Sequence, residues 1–167
     1  MAWGRPSWGS QVGGQFAPMF ITMGIPVGEG YTEALVANVS EPVKNYTYVR
    51  AAKDVLYSIS NGQTYIPDSG IYEVTAQVVY NIGNQDADVE LSLFNEFDQT
   101  YPVHITSRYG KGGIGDNIVL TAMGEFVGEV WFSLHITCSI TTSMDIIEAD
   151  FGIKKIAKTS SIVARVG

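Results

Sequence analysis

Between Tyr72 and Tyr80 the chain alternates: Tyr72, Val74, Ala76, Val78 and Tyr80 fall on one side, Glu73, Thr75 and Gln77 on the other. Successive strand side chains point to opposite faces, so a period of two predicts a strand with one packed face and one wetter face. The turn Pro67-Asp68-Ser69-Gly70 precedes it. There proline sets its own φ, the Asp and Ser side chains bond back to the backbone, and glycine admits a positive φ. The pattern returns at Val89–Phe97, with Val89, Leu91, Leu93 and Phe97 on one face. Along Val130–Ile140 the inward set is Val130, Phe132, Leu134, Ile136, Cys138 and Ile140. Trp131, Ser133, His135, Thr137 and Ser139 then point outward. Val74 and Leu134 are predicted core positions, where an unpaired charge costs several kcal/mol.

Phe16–Met23, Val55–Ile59, Tyr101–Arg108, Ile118–Met123 and Asp145–Ile156 read as further strands, and Tyr31–Val39 as a weaker one within which Thr32–Leu35 is also compatible with helix. Asn61-Gly62 is a strong hairpin signal. Ile118–Met123 is expected to pair with Val130–Ile140 across Gly124–Glu129. Short strands at such spacing predict an antiparallel all-β sandwich or barrel. Several strands also carry large apolar side chains on the second face: Ile71, Val79, Phe94, Trp131 and Ile146. On a monomer these would face water, and contiguous exposed apolar patches mark interfaces. These five residues are the candidate oligomer contacts.

Composition adds to this picture without redirecting it. Charged residues make up 16% of 167 residues, against 18 glycines, nine tyrosines and seven phenylalanines, a balance that favours strands and turns. No apolar run reaches the roughly 18 residues of a membrane span, and no basic-then-apolar leader is visible. The expectation is a soluble chain that binds no membrane and is not exported by a classical signal. Cys138 is the single cysteine, so no intrachain disulfide forms. The sequons at Asn38 and Asn45 are read as chance.

All 17 acidic residues lie between 29 and 153, while Arg5 sits near one end and Lys154, Lys155, Lys158 and Arg165 near the other. An acidic body with basic ends opposes nucleic acid as a partner, because phosphates are repelled by most of the surface. The ends are either solvated tails or docking segments for an acidic surface. Within Met1–Gly14, glycine and proline exclude regular structure, yet Trp3 and Trp8 lie five residues apart. Disordered tails are poor in large aromatics, so the arm either folds back on its own domain or, the favoured reading, docks on a neighbouring subunit or another protein through Trp3, Arg5 and Trp8.

Tests for catalytic and metal chemistry mostly fail. Gly110-Lys111-Gly112-Gly113-Ile114-Gly115 imitates a phosphate loop, but Asp116 and Asn117 stand where Lys and Ser or Thr are needed. His135 and Cys138 are three apart on a strand and point to opposite faces, and His104 has no nearby His or Cys. A thiol on an apolar face is inert, which removes Cys138 as a nucleophile. The pairs Asp86/Asp88, Glu96/Asp98 and Glu148/Asp150 could bind calcium or serve glycoside hydrolysis. None has the spacing of a dedicated calcium loop. The expectation is a non-enzymatic protein without cofactor.

Two motifs carry a resemblance. Ile66-Pro67-x-x-Gly70-Ile71-Tyr72 resembles the entry to a central strand in the tumour-necrosis-factor and complement-globular-head superfamily. Ala149-x-Phe151-Gly152-Ile153 is similar to that superfamily's closing strand. The likeness spans roughly residues 50–157 and implies a ten-stranded jelly roll, typically a homotrimer. The collagen stalk of many animal members has no counterpart here. Leaderless members resemble bacteriophage virion proteins, which implies a decoration (cement) protein bound to a major capsid protein on the virion surface. The alternative is a fibre tip binding host glycans through Tyr101, Tyr109 and Trp131. A cupin-like enzyme would need a histidine cluster that two separated histidines do not supply. The expected organisation is an arm with the first strand at 1–28, a jelly roll at 29–157 and a basic tail at 158–167.

Overall fold

The computed structural model describes residues 19–96, 102–110 and 116–158, with 102–110 described through the backbone alone. Among the described residues twelve strands form, in chain order: β1 (Phe20–Ile25), β2 (Tyr31–Leu35), β3 (Glu41–Pro42), β4 (Tyr48–Ala51), β5 (Tyr57–Ser58), β6 (Gln63–Ile66), β7 (Gly70–Asn81), β8 (Ala87–Asn95), β9 (Pro102–Gly110), β10 (Asp116–Phe126), β11 (Val130–Cys138) and β12 (Thr142–Ala157). One sheet runs β10-β7-β12-β1-β4, with β2 also on β12. The other runs β5-β6-β11-β8-β9, with β3 also on β11. Every pairing is antiparallel. The two sheets face each other as an antiparallel jelly roll, as the strand periodicity and the family resemblance together predict.

The alternating stripes meet in the middle. Tyr72, Val74, Ala76, Val78 and Tyr80 of β7 are buried, as are Val89, Leu91 and Leu93 of β8 and the even-numbered residues of β11. Phe126 joins the two layers, its ring centroid 5.8 Å from Tyr72 and 5.2 Å from Phe132. Truncating a side chain of this size to alanine in a close-packed core costs about 3–5 kcal/mol.

Four sequence expectations change. Thr32–Leu35 belongs to a strand, because β2 pairs along β12 from Leu35↔Thr142 to Tyr31↔Ile146, and tertiary pairing outweighs weak local propensity. The β10 and β11 segments do not pair with each other. β10 lies on β7 from Asp116↔Tyr80 to Phe126↔Gly70, and β11 lies between β6 and β8. The link Val127–Glu129 therefore crosses from sheet to sheet, with Glu129 at φ 64°. Its amide donates to the Ile66 carbonyl at 2.6 Å.

The third change is Ile146, expected on the outward face but only 1% exposed in the core. A register shift between Ile146 and Glu148 on β7 explains this. A β-bulge inserts one extra residue, so the phase of the pleat reverses across it. Met144 and Ile146 point inward before it, Ala149, Phe151 and Ile153 after it.

The fourth change concerns the basic C-terminal run. Lys155 continues the inward phase and is 6% exposed, its Nζ 3.7 Å from the Asp68 carboxylate. Lys154 lies 3.9 Å from Glu73. Lys155 is thus engaged at the edge of the core and Lys154 on the outer face of the sheet.

The Asn61-Gly62 turn closes the β5–β6 hairpin, with Tyr57↔Thr64 and Ser58↔Gln63 in register. Gly62 has φ 70°, and a Cβ there would lie 2.0 Å from the Val43 carbonyl oxygen. Only glycine fits this turn without rearrangement.

Candidate functional site

Two outward surfaces remain after the core is filled. The first is the outer face of the β10-β7-β12-β1-β4 sheet. Register places Val119 beside Gln77 and Met123 beside Glu73. Phe20 lies beside Lys154. Val119, Met123 and Phe20 are 51%, 60% and 43% exposed. Ile71 and Val79, both predicted from the sequence, are half-buried on the same face.

The centre of that face is shallow. Thr75, Gly152 and Thr22 form a row of small residues across three strands. A Cβ on Gly152 would meet the Thr75 and Thr22 hydroxyls at 3.3 and 3.4 Å. The hollow there has a volume of about 250 Å³ and is bordered by Phe20, Glu73 and Lys154. A depression beside protruding apolar groups is the relief that two unlike patches of neighbouring copies need for a head-to-tail contact.

The sequence reading missed Phe20, Val119 and Met123. A signal for the β10 pair existed. With Ile118 and Leu120 inward, the same period of two sends Val119 and Met123 outward. The five predicted contacts do not form one patch. Ile71 and Val79 lie on this sheet, Phe94 and Trp131 on the other sheet's outer face, and Ile146 inside. The predicted arm contacts Trp3, Arg5 and Trp8 lie outside the described residues, as do Lys111–Gly115 of the glycine-rich loop.

The second surface is a cleft of about 470 Å³ on the outer face of the β5-β6-β11-β8-β9 sheet. Lys44, Asn61, Gln63, Phe94, Glu96 and His135 line it, with Pro42 at one side. Strand pairing assembles it, for Ser133 of β11 faces Gln63 of β6 on one side and Phe94 of β8 on the other. His135 lies next to Pro42 of β3. The Phe94 ring stacks on the His135 imidazole, centroids 4.2 Å apart and planes 15° apart. One row along the same face, Tyr65 and Trp131 pair with centroids 5.3 Å apart. The Glu96 amide donates to the Trp131 carbonyl at 2.8 Å, which fixes Glu96 at the junction of the two rows.

His135 is outward on the pleat yet only 8% exposed, and Ser133 is fully buried. Their polar atoms bond in one consistent order. The Ser40 hydroxyl donates to His135 Nδ1 at 3.3 Å, Nε2–H donates to Ser133 Oγ at 3.0 Å, and Ser133 donates to the Glu96 carboxylate. This order assigns a neutral imidazole protonated on Nε2. Burial pushes the His135 pKa below its ordinary value, with Glu96 (Nε2 to carboxylate 3.5 Å) and Glu41 pulling the other way. Lys44 is held in place by its amide, which donates to the Tyr31 hydroxyl at 3.0 Å, and by an ion pair to Glu33 at 3.3 Å. Burial raises the Tyr31 hydroxyl to about 12, so it stays protonated.

The buried Ser133 hydroxyl is sealed from any substrate and is spent on Glu96, which removes it as a nucleophile. Cys138 is fully buried on the inner face of β11. Among the described residues, no group of three or more His, Cys, Asp or Glu side chains is placed to hold a metal ion. The cleft lining pairs one cation with one carboxylate, carries two side-chain amides, and has the Phe94 ring stacked on the His135 imidazole.

No protein-family model matches the chain. No curated protein sequence matches it either. Solved structures do match in shape. The Eiger TNF of S. frugiperda superposes with a TM-score of 0.59 at 11% identity, covering 85% of this chain and 95% of that one. The globular domain of zebrafish complement 1qA gives 0.59 at 11% identity, covering 85% and 99%. Murine APRIL gives 0.56 at 10% identity, covering 83% and 99%. At such identities the likeness concerns the fold, which is the TNF-like and C1q-like jelly roll.

Proposed function

We propose that this protein is a non-enzymatic structural protein that works as a homotrimer, joined through the outer face of the β10-β7-β12-β1-β4 sheet. The observation that carries this reading is the set Phe20, Val119 and Met123 on one face beside the Gly152 hollow. Exposed side chains of this size on one sheet face favour burial against another copy. A contact between the apolar edge of one copy and the hollow of the next is heterologous, and with a threefold rotation between copies it closes into a ring of three.

On this reading the trimer decorates a virion, bound to the capsid surface through the N-terminal arm. Support comes from the sequence: tryptophans in a glycine-rich arm and acids confined to the body. Sedimentation at micromolar concentration tests the assembly. The expected species has three times the 18.1 kDa of one chain. Val119→Glu with Met123→Glu is expected to shift it to a folded monomer, because two carboxylates would then have to be stripped of water to enter the contact. A wild-type protein that sediments only as a monomer overturns the proposal.

A further inference from the structure

The cleft beside Phe94 and His135 takes no part in the proposed trimer, since it opens on the opposite sheet. Its chemistry narrows what it accepts. One cation and one carboxylate line it, Lys44 and Glu96, and each is already engaged, with Glu33 and with Ser133 and His135 respectively. An anionic ligand would meet Glu96 at close range, and a cationic one would meet Lys44, so neither sign of charge is favoured. A purely apolar ligand would strip water from the amides of Asn61 and Gln63 and from the carboxylate without replacing those bonds, which is costly.

What remains is a neutral ligand dense in hydroxyl groups. Each hydroxyl both donates and accepts, matching the mixed inventory of two amides, a carboxylate and an ammonium. A carboxylate offers about four lone-pair sites, so Glu96 keeps capacity for further donors beside Ser133. The volume of about 470 Å³ lies within the range of small-molecule sites. Phe94 supplies a flat wall for the C–H face of a sugar ring. Tyr65 and Trp131, one row away, extend that wall beyond a single ring.

We propose that this cleft is a saccharide-binding site. Neutral pyranosides sit against Phe94, with their hydroxyls on Glu96, Asn61 and Gln63. A second sugar unit reaches toward Trp131. The Ser40–His135–Ser133–Glu96 chain of bonds positions the carboxylate and is not itself exposed to the ligand through Ser133.

Saturation-transfer NMR on the full chain tests this with glucose, galactose, mannose, N-acetylglucosamine, lactose, maltose and cellobiose, each at about 10 mM, a concentration at which millimolar affinity is visible. Inorganic phosphate and a sulfated heparin disaccharide serve as competitors. Transfer to at least one neutral sugar is expected, with a disaccharide preferred over its monosaccharides. Glu96→Gln and Gln63→Ala, each checked for an unchanged melting profile, should weaken binding about tenfold or more. Trp131→Ala should remove the disaccharide preference. Absence of transfer to every sugar overturns the proposal. So does displacement by phosphate or heparin disaccharide, or binding that survives both Glu96→Gln and Gln63→Ala. Cleavage of a disaccharide during the experiment would also overturn it, by making the cleft an active site. None of these outcomes depends on the sedimentation result, so the trimer and the cleft stand or fall separately.

Discussion

His135 shows how far a residue's surroundings can depart from its place in a pattern. A polar residue on the outer face of a strand is normally wet, yet here the Phe94 ring covers it and Ser40 and Ser133 take both ring nitrogens. Burial lowers its pKa, so the unfolded chain binds a proton more readily than the folded one. His135 therefore contributes full stability above the ordinary value of 6.5 and loses it as pH falls from there toward the folded pKa. Glu96 and Glu41, the acids that act on it, oppose the shift and limit the loss. Denaturation midpoints should fall between about pH 7.5 and pH 5.5, the range in which histidine titrates. In His135→Gln that fall should shrink. An equal fall in the variant would assign the pH dependence to other groups.

At the scale of the element, β12 carries the most consequential irregularity. Its bulge lets one strand of 16 residues serve two partners, β2 along its first part and β1 along its last, while β7 runs beside most of it. The extra residue is what brings Ile146 to the core and leaves Ile147 half-buried on the other side. Ile146→Asp should prevent folding, since an unpaired buried charge costs several kcal/mol. Ile147→Asp should change stability by less than about 1 kcal/mol, as substitutions outside the core do. Thermal melts of the two variants check this directly, and a reversed order would place the bulge elsewhere. A similar local economy operates at Gly62, where the hairpin exists only because no side chain competes with the Val43 carbonyl.

At the scale of the whole molecule, the two outer faces differ: one sheet carries exposed apolar side chains beside a shallow hollow, the other a polar cleft, and the proposed reading gives assembly to the first. On the proposed reading the arm would add a third contact. Trp3 and Trp8 can each bury about 150–250 Å², worth roughly 4–6 kcal/mol at about 25 cal/mol per Å² before ordering costs. Ordering the chain costs about 1–2 kcal/mol per residue, so a single arm binds weakly. On the proposed trimer, three such arms would gain about 10²–10⁴ in avidity. A variant starting at Gln15 should fold and trimerise like the full chain but fail to bind particles in a co-sedimentation assay. Trp3→Ala with Trp8→Ala should weaken binding in the same direction. Saturation of particles by the truncated form at the full-length concentration would remove the arm as the anchor.

The sequence alone determined the strands and their inward stripes, because a period of two is a local property that burial on one face writes directly into the residue order. Tyr72 to Tyr80, Val89 to Leu93 and Val130 to Cys138 were legible for that reason. Their antiparallel sandwich followed, since stripes of that kind must be buried against one another. Which sheet each strand joins was decided only by the tertiary structure. β10 and β11 are neighbours in the chain yet lie in opposite sheets, a choice made by pairing with β7 and with β8, not by the residues between them. The phase reversal at Ile146 was hidden for a related reason: a bulge depends on fitting one strand to its partners. The cleft was the least legible feature. Ser40, Glu96 and His135 come from distant parts of the chain, and no spacing in the sequence marks residues that only folding makes adjacent.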